Sequence, residues 1–268
     1  MSDKAPSSVF ALPAGMRSFL DTVGGIGGFF GRFWRDVFFP PYELGEVIRQ
    51  CYVIGNGSLT LVATTGFIMG LVLTLQSLPT MEDFGAESMV PSMVSISVVR
   101  EIGPVVTAII CAGKVGSSIG AELAGMRVTE QIDAMEVSGT RPFKYLVITR
   151  ILACTFMIPL LVMFADFVAL IGCYLGINIT GDTSMTLFKG RIFTAIEFFD
   201  IVPALAKSFF FGFAIALVSC FMGWNAEQGT EGVGRAANSA VVGSILLVFI
   251  IDMFAVQLTS LIDTFFLK

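Results

Sequence analysis

Five long runs of apolar residues constrain this chain more than any other feature of its sequence. A helix that crosses the roughly 30 Å hydrocarbon core of a bilayer needs about 20 such residues. Five stretches meet that requirement: 53–75, 102–121, 151–179, 201–224 and 240–262. Charged residues make up only 14% of the chain, against about 25% in soluble domains. We therefore predict an all-α integral membrane protein with five transmembrane helices.

Lysine and arginine residues are distributed unevenly between the two sides of these spans. The segment between the first two spans carries Glu82, Asp83 and Glu87 and no cation. Cations concentrate instead in the segments that would share a side with the N-terminus: Lys4, Arg17, Arg32, Arg35, Arg49, Arg127, Arg141, Lys144, Arg150 and Arg235. Because cytoplasmic segments are enriched in cations, we predict a cytoplasmic N-terminus and a periplasmic C-terminus.

Residues 1–41 are predicted to form a cytoplasmic or interfacial extension ahead of a membrane domain at 42–268. Residues 16–39 mix Phe and Trp with Arg and Gly, as segments lying in the membrane interface do. They lack the compact apolar core and cleavage site of a signal peptide. Pro40-Pro41 would end this segment, and residues 42–52 would form a second short amphipathic helix. A poorly ordered tail is the alternative for the first fifteen residues.

The residue types exclude several kinds of chemistry. The chain has no histidine, which removes Ser–His and Cys–His catalysis and the commonest metal ligand. The five cysteines show no C-x-x-C spacing. The nearest approach to a phosphate-binding loop, Gly113-Lys114, is followed by Val115 and lacks the upstream glycine. We therefore predict no catalytic residue, no metal site and no cofactor in this chain, so energy for any transport comes from a partner or an ion gradient.

A polar segment, GMRVTEQIDAMEVSGTRPFKY at 125–145, separates the second and third apolar runs. Thr129 is predicted to cap a short helix whose first turns hold Glu130 and Asp133, which favours the helix dipole. Gly139 and Pro142 would end this helix.

The faces of this short helix leave two interpretations open. An apolar stripe at Val128, Ile132 and Met135 adjoins an acidic face that includes Glu136. Because a helix of about ten residues is marginal alone in water, something must pack on it. Its stripe either packs on the chain's own helix ends, or the helix couples this chain to a groove on a soluble partner.

Ionisable residues inside the spans are costly and need an explanation. Arg100-Glu101 lies near the outer end of span two and Asp200 and Lys207 near the outer start of span four, so these four are predicted to form one cluster. They act either as interfacial anchors or in gating and headgroup contact. Asp166 and Asp252 lie deeper, and structural pairing is favoured over a protease or a proton relay.

Small residues repeat at four-residue intervals along span two. Such a stripe lets helix backbones approach closely in lipid, either within the chain or across a dimer. Its members are Ala108, Ala112, Gly116, Gly120 and Ala124.

Two separated motifs resemble one family. Residues 100–153, REIGPVVTAIICAGKVGSSIGAELAGMRVTEQIDAMEVSGTRPFKYLVITRILA, resemble the signature region of MlaE-type permeases, the membrane subunits of ABC lipid transporters that work with MCE-domain proteins. Residues 231–254, EGVGRAANSAVVGSILLVFIIDMF, resemble the last cytoplasmic loop and final span of that family. The resemblance covers about residues 42–262, and it includes Lys114 where arginine is common.

This resemblance implies a transporter made of several kinds of subunit. Five spans preceded by interfacial helices would pair with a second copy around an outward-facing lipid cavity. The helix at 129–137 would couple to a cytoplasmic ATPase that binds ATP and magnesium, and an MCE ring would cover the cavity. The implied cavity residues are Leu71, Leu75, Leu78, Arg100, Glu101, Asp200 and Lys207. The implied coupling residues are Arg127, Thr129, Glu130, Gln131, Asp133, Glu136 and Arg235.

We therefore predict a permease subunit of the bacterial inner membrane that exchanges phospholipid, or a similar hydrophobic molecule, with a periplasmic MCE carrier. One alternative is a proton-driven transporter that uses Asp166, Asp252 and Glu101, and the other is a membrane-embedded enzyme. The sequence leaves open the direction of transport, the cargo, the identity of the ring partner and the role of residues 1–41.

Overall fold

The computed structural model describes residues 14–40, 43–180 and 183–266. The described residues form ten α-helices: α1 (Ala14–Val37), α2 (Leu44–Asp83), α3 (Val90–Ser97), α4 (Gly103–Cys111), α5 (Ser117–Val128), α6 (Gln131–Val137), α7 (Thr149–Thr180), α8 (Met185–Ala195), α9 (Phe198–Trp224) and α10 (Thr230–Phe266). Predictions that concern residues 1–13, Tyr42 and Lys268 lie outside this described part.

Five helical segments are long and apolar enough to cross a membrane, which confirms the predicted all-α, five-span fold. They are Leu44–Asp83, Glu87–Val128, Phe143–Ile179, Phe198–Trp224 and Thr230–Ile262. Most extend well beyond the predicted apolar runs because polar residues continue a helix past the bilayer. Helix α8, between the third and fourth spans, was not predicted.

The separate short helix predicted at 42–52 is wrong. Residues 44–52 form the first turns of α2, which runs unbroken from Leu44 to Asp83. Residues 46–54 contain no glycine or proline that would end a helix near Val53. Side-chain contacts also support these turns, since Gln50 Nε2 donates to Glu46 Oε1 at 2.8 Å. The first span therefore begins in a polar helical extension.

The chain divides after residue 41 into two units, and α1 lies in the first. Aromatic rings spaced four residues apart line this helix, with centroid distances of 6.1 Å for Phe30–Trp34 and 5.6 Å for Trp34–Phe38. Arg32 Nε pairs with Asp36 Oδ2 at 3.8 Å. An aromatic stripe beside charged residues suits the predicted interfacial position, which stays a prediction.

The second unit is a bundle in which α7 and α9 are central. Helix α2 packs along α7, α7 packs on α9, and α9 packs on both α5 and α10. Helices α2 and α10 leave most of their membrane-spanning surface exposed. The bundle therefore has two sparsely covered helices at its edges.

Helices α2 and α7 approach closely at small residues. A Cβ atom added to Gly70 would overlap the carbonyl oxygen of Ala169, and one added to Gly172 would overlap that of Phe67. Backbones in lipid come this close only where side chains are minimal. These positions therefore fix the distance between the first and third spans.

We expect Gly70→Val to lower the thermal unfolding midpoint of the detergent-purified protein by several degrees, since overpacking costs about 1–3 kcal/mol or more. Gly57→Val is the matched control, because Gly57 lies on the same helix with nothing within 4 Å of an added Cβ. Size-exclusion chromatography after heating gives both midpoints. Equal midpoints would show that the two helices can separate freely at Gly70.

Two π-helical segments, Val98–Ile102 and Ala112–Gly116, interrupt the second span. The first carries Arg100 and Glu101 and the second carries Lys114, whose ammonium group donates to the carbonyl oxygen of Gly57. π-Bulges are rare and frequent at functional sites. The span thus departs from regular geometry at its charged residues.

Successive spans alternate in direction, which assigns the connecting segments to two ends of the bundle. The turn at 84–89, helix α8 and the end of α10 share one end, which we call the α8 end. Helix α6, the start of α2 and the turn at 225–229 share the opposite end, the α6 end.

Candidate functional site

Charged side chains from three spans meet between α9, α10 and the π segment at 98–102. Lys207 Nζ lies 2.5 Å from Glu101 Oε2 and 3.1 Å from Asp252 Oδ1. Arg100 Nε lies 2.6 Å from Asp200 Oδ1. These five residues, here called the charge cluster, join the second, fourth and fifth spans through ion pairs.

The local fold holds the residues of the charge cluster in position. Asp200 belongs to the first turn of α9, where its Oδ2 accepts a hydrogen bond from the backbone N–H of Glu197 at 2.9 Å. A carboxylate near a helix N-terminus is favoured by the helix dipole. Lys207 follows seven residues later, two turns along the same helix. Helix α9 therefore presents an anion and a cation to the two charges of the π segment.

Lys207 is the most buried member of the cluster, with a side chain only 5% exposed. A buried ammonium group is costly unless it is paired. Its two carboxylate neighbours supply that pairing from different helices. The cation therefore binds span four to spans two and five.

The charge cluster forms the polar wall of a cleft of about 230 Å³. Thr259 and Ser260 of α10 add hydroxyl groups to this lining. An adjoining apolar cleft of about 450 Å³ extends between α9 and α10. Both clefts share a set of lining residues: Phe199, Pro203, Lys207, Ala255 and Thr259. Together they form one amphipathic cavity, charged at one end and apolar at the other.

An amphipathic cavity can hold a molecule that has both a polar head and apolar chains. Phe210, Phe254 and Leu258 line the apolar part. Arg100, whose side chain is 45% exposed, can contact an anionic headgroup beside its own partner Asp200, and the hydroxyl groups can donate to the headgroup oxygens. The charges were predictable from the sequence, whereas the lining residues at 255–260 were not predicted. The four-residue spacing of Ala255 and Thr259, which places both on one face of α10, was the available signal.

Asp252 joins the charge cluster rather than forming a deeper, separate feature. Its contact with Lys207 brings it to the same depth as Glu101. Asp166 is close enough to Lys207 for an electrostatic interaction, but its Oδ1 is buried against Gly103 and has no hydrogen-bond partner among the described residues. Asp252 therefore has the structural ion pair that was predicted, with Lys207. Asp166 Oδ1 has no such partner among the described residues.

The three leucines implied as cavity residues lie elsewhere in the single chain. Leu78 is buried in a core with Val94, Cys173 and Ile192. Leu71 and Leu75 are half-buried on α2, and the backbone of Leu71 adjoins Gly172 and Gly176 of α7. None of them lines the amphipathic cavity between α9 and α10. Their part in a cavity shared by two copies stays a prediction.

The polar helix is shorter than expected and begins differently. Helix α6 spans Gln131–Val137, and Glu130 precedes it with a left-handed φ of 57°. The predicted cap by Thr129 is wrong, because Thr129 Oγ1 donates back to the carbonyl oxygen of Gly125 at 2.8 Å. Thr129 thereby completes α5 instead of starting α6. The helix stops before Gly139, whose φ of 78° suits glycine.

The two faces of α6 have different surroundings. Ile132 is 1% exposed and packs against the chain itself, whereas Val128 and Met135 of the apolar stripe are half-buried. Glu130, Gln131, Asp133 and Glu136 are exposed. Arg127 Nη1 pairs with Asp133 Oδ1 at 2.7 Å and joins α6 to the end of α5. Ile132 therefore attaches α6 to the bundle, while the acidic face of the helix remains exposed.

Arg235, the remaining predicted coupling residue, lies in the first turns of α10 at the α6 end. It pairs with Glu231 Oε1 at 2.6 Å and with Glu227 Oε2 at 3.0 Å. All three side chains are mostly exposed. The structure therefore gives Arg235 acidic partners of its own, and its predicted role at an ATPase stays a prediction.

The small-residue stripe of span two is buried within the chain. Ala108, Ala112 and Ala124 are fully buried. An added Cβ at Gly116 would lie 2.9 Å from Ser219 Oγ, and one at Gly120 would lie 3.0 Å from Ala240 Cβ. The stripe therefore packs on α9 and α10, beside the helices that form the amphipathic cavity.

The chain is similar in sequence to one family of known proteins and to several individual relatives. Residues 47–258 match the family described as Permease MlaE. A probable ABC transporter permease protein of Rickettsia felis is 42% identical over 219 residues, which cover 82% of this chain and 85% of that protein. Similar proteins bearing the same description occur in Synechocystis, at 34% identity over 78% of this chain and 80% of theirs, and in Pyropia yezoensis, at 34% over 77% and 79%.

Proposed function

Because the chain belongs to the MlaE permease family of ABC transporters, we propose that it moves phospholipid, or a similar hydrophobic molecule, between the bacterial inner membrane and a periplasmic MCE carrier. A separate cytoplasmic ATPase binds ATP and magnesium and supplies the energy. Two copies of this chain form the membrane part of the transporter. Chemistry on the cargo is not part of this activity.

The amphipathic cavity between α9 and α10 supports a lipid cargo more than any other feature. Its charged wall contains Arg100 and Lys207, and its apolar part is several times more voluminous than a single side chain. A glycerophospholipid presents a phosphate and acyl chains in the same arrangement. Apolar burial of about 25 cal/mol per Å² would retain the chains, and the partly exposed guanidinium of Arg100 with the hydroxyl groups of Thr259 and Ser260 would contact the phosphate.

We expect Ala255→Trp to reduce phospholipid transfer by at least tenfold, because Ala255 lines both parts of the cavity and an indole ring would fill it. Ile68→Trp is the control, since Ile68 is half exposed on α2 and lines neither part. Transfer of fluorescent phospholipid from proteoliposomes containing the whole transporter measures both. Full transfer by the Ala255 variant would exclude this cavity as the route.

The acidic face of α6 supports the second element of the proposal, an ATPase partner. The exposed carboxylates of α6 and of Glu130, which precedes it, lie at the α6 end, which the distribution of cations predicts to be cytoplasmic. Packing of Ile132 and the Arg127–Asp133 pair attach this helix to α5. Movement of a bound ATPase would therefore be transmitted to the second span, which carries Glu101 of the charge cluster.

A further inference from the structure

An apolar groove lies between α7, α8 and the start of α9, separate from the amphipathic cavity. Its volume is about 510 Å³. The lining is apolar and aromatic apart from Tyr174, which is half-buried, and a single cation, Lys189. The remaining lining residues are Phe167, Leu170, Ile171, Met185, Phe188, Ile192, Phe193, Ile196 and Ile201.

The depth of the groove follows from how α8 packs on α7. The rings of Tyr174 and Phe188 contact with centroids 5.1 Å apart, and Phe188 and Ile192 share a core with Cys173 and Ile177. Helix α7 continues to Thr180. At a rise of 1.5 Å per residue, the contact lies about 5–10 Å inside the end of that span. Headgroups meet acyl chains at that depth of a bilayer.

The groove opens toward the surroundings of the bundle and carries a charge at its edge. Phe193 is 81% exposed and Phe167 is 63% exposed, so lipid would cover them in a membrane. Lys189 is exposed as well. Among the described residues, no carboxylate lies within 4 Å of its ammonium group. A lysine at this depth next to apolar walls complements the phosphate of a lipid whose chain occupies the groove.

We propose that this groove holds one glycerophospholipid of the surrounding leaflet, with an acyl chain against Phe167 and Ile171 and the phosphate on Lys189. The site is separate from the amphipathic cavity and goes beyond the proposed function. It does not depend on the ATPase or on the cargo, because the bilayer itself supplies the ligand.

Photolabelling of the full chain in nanodiscs tests the charge at this site. The probe is phosphatidylglycerol with a diazirine in one acyl chain, diluted into phosphatidylcholine. We expect Lys189→Gln to reduce labelling of 167–174 and 185–196 roughly fivefold, as loss of about 1 kcal/mol of attraction implies. Arg191→Gln is the matched control, since Arg191 is an exposed cation of the same helix that does not line the groove.

Filling the groove with a larger side chain tests the proposed contact with the acyl chain independently of the charge. We expect Ile171→Trp to abolish labelling of the same peptides, and Met163→Trp, an exposed position of α7 outside the lining, to leave it unchanged. Unchanged labelling in both the Lys189 and Ile171 variants would overturn the proposal. It would also be overturned if the unaltered chain, purified from its native membrane, showed groove crosslinks to a membrane-spanning partner helix and none to lipid. Loss of transport in the Ala255 variant with intact groove labelling would separate this site from the proposed function.

Discussion

Lys207→Met is expected to lower the thermal unfolding midpoint by about 5 °C and to abolish transport. The substitution leaves Glu101 and Asp252 facing each other without the cation that they share at 2.5 and 3.1 Å. Removing one partner of a fully buried ion pair costs about 3–5 kcal/mol, and the partial exposure of the remaining carboxylates, 46% for Glu101 and 20% for Asp252, reduces that cost to about 2 kcal/mol. A change of 1 kcal/mol shifts the midpoint of a domain of this size by about 2–4 °C. Thermal unfolding in detergent, followed by size-exclusion chromatography, measures the shift.

A triple variant distinguishes the charge effect from the loss of packing. Lys207→Met combined with Glu101→Gln and Asp252→Asn removes all three charges and keeps similar volumes. The main cost of breaking a buried pair is the unpaired charge that is left behind, and the triple variant leaves none of these three charges, so it should unfold near the unaltered chain. Transport should stay absent if the cavity needs the cation for its ligand. A single variant as stable as the unaltered chain would contradict a structural role for the pairing.

Reversal of two acids on α6, Glu130→Lys with Asp133→Lys, is expected to remove ATPase association while leaving membrane insertion intact. Both carboxylates are exposed at the α6 end, and replacing them by cations places like charges against a surface that the acids would complement. Such juxtaposition costs several kcal/mol at an interface. Affinity purification of the chain from its own membranes, followed by measurement of ATP hydrolysis in the eluate, checks this expectation.

The same reversal at the opposite end controls for net charge. Glu82 and Glu87 are exposed near the α8 end, and their change to lysine alters the chain's charge equally. We expect this control to keep the ATPase. Hydrolysis recovered equally with both double variants would favour the other interpretation, in which α6 only packs on its own bundle. An unaltered chain that never recovers ATP hydrolysis would contradict the ATPase partner itself.

Apolar run length predicted the spans because the thickness of a bilayer sets a minimum that few other structures satisfy. The ends of the spans were less predictable. Residues 44–52 are polar enough to suggest a separate helix. However, residues 46–52 contain no glycine or proline that would end it, and the hydrogen bond between Gln50 and Glu46 supports a continuous helix. Hydrophobicity reports where lipid lies, whereas helix ends depend on caps and breakers.

The members of the charge cluster were predictable as a group, but the pairs were not. Position along the spans brought Arg100, Glu101, Asp200 and Lys207 to one end of the bundle. The partner of each depends on the π segment at 98–102, which has no propensity signal in the residues themselves. Asp252 was assigned a deeper position because helix height in a bundle is set by neighbours, and α9 presents Lys207 at the level of Asp252.

The prediction at Thr129 was wrong because of the local backbone conformation. A threonine before two acids is typical of a capped helix, but the same hydroxyl can bond to the carbonyl four residues before it. The latter occurs here, and Glu130 takes the left-handed conformation that separates α5 from α6. The acidic face survives this difference because Glu130, Asp133 and Glu136 remain exposed.

The two π segments of the second span have a consequence for insertions and deletions in relatives. Each contains wider turns than an α-helix, as if one residue had been added to a regular helix. Loss of a single residue within 98–102 would therefore remove the wide turn and leave a regular α-helix with its two halves in nearly the same relative phase, whereas loss of a residue from the regular part of the span would rotate one half by about 100° relative to the other. Single-residue deletions in the second span of related chains should therefore fall within 98–102 or 112–116 rather than in the α-helical stretches between and beyond them.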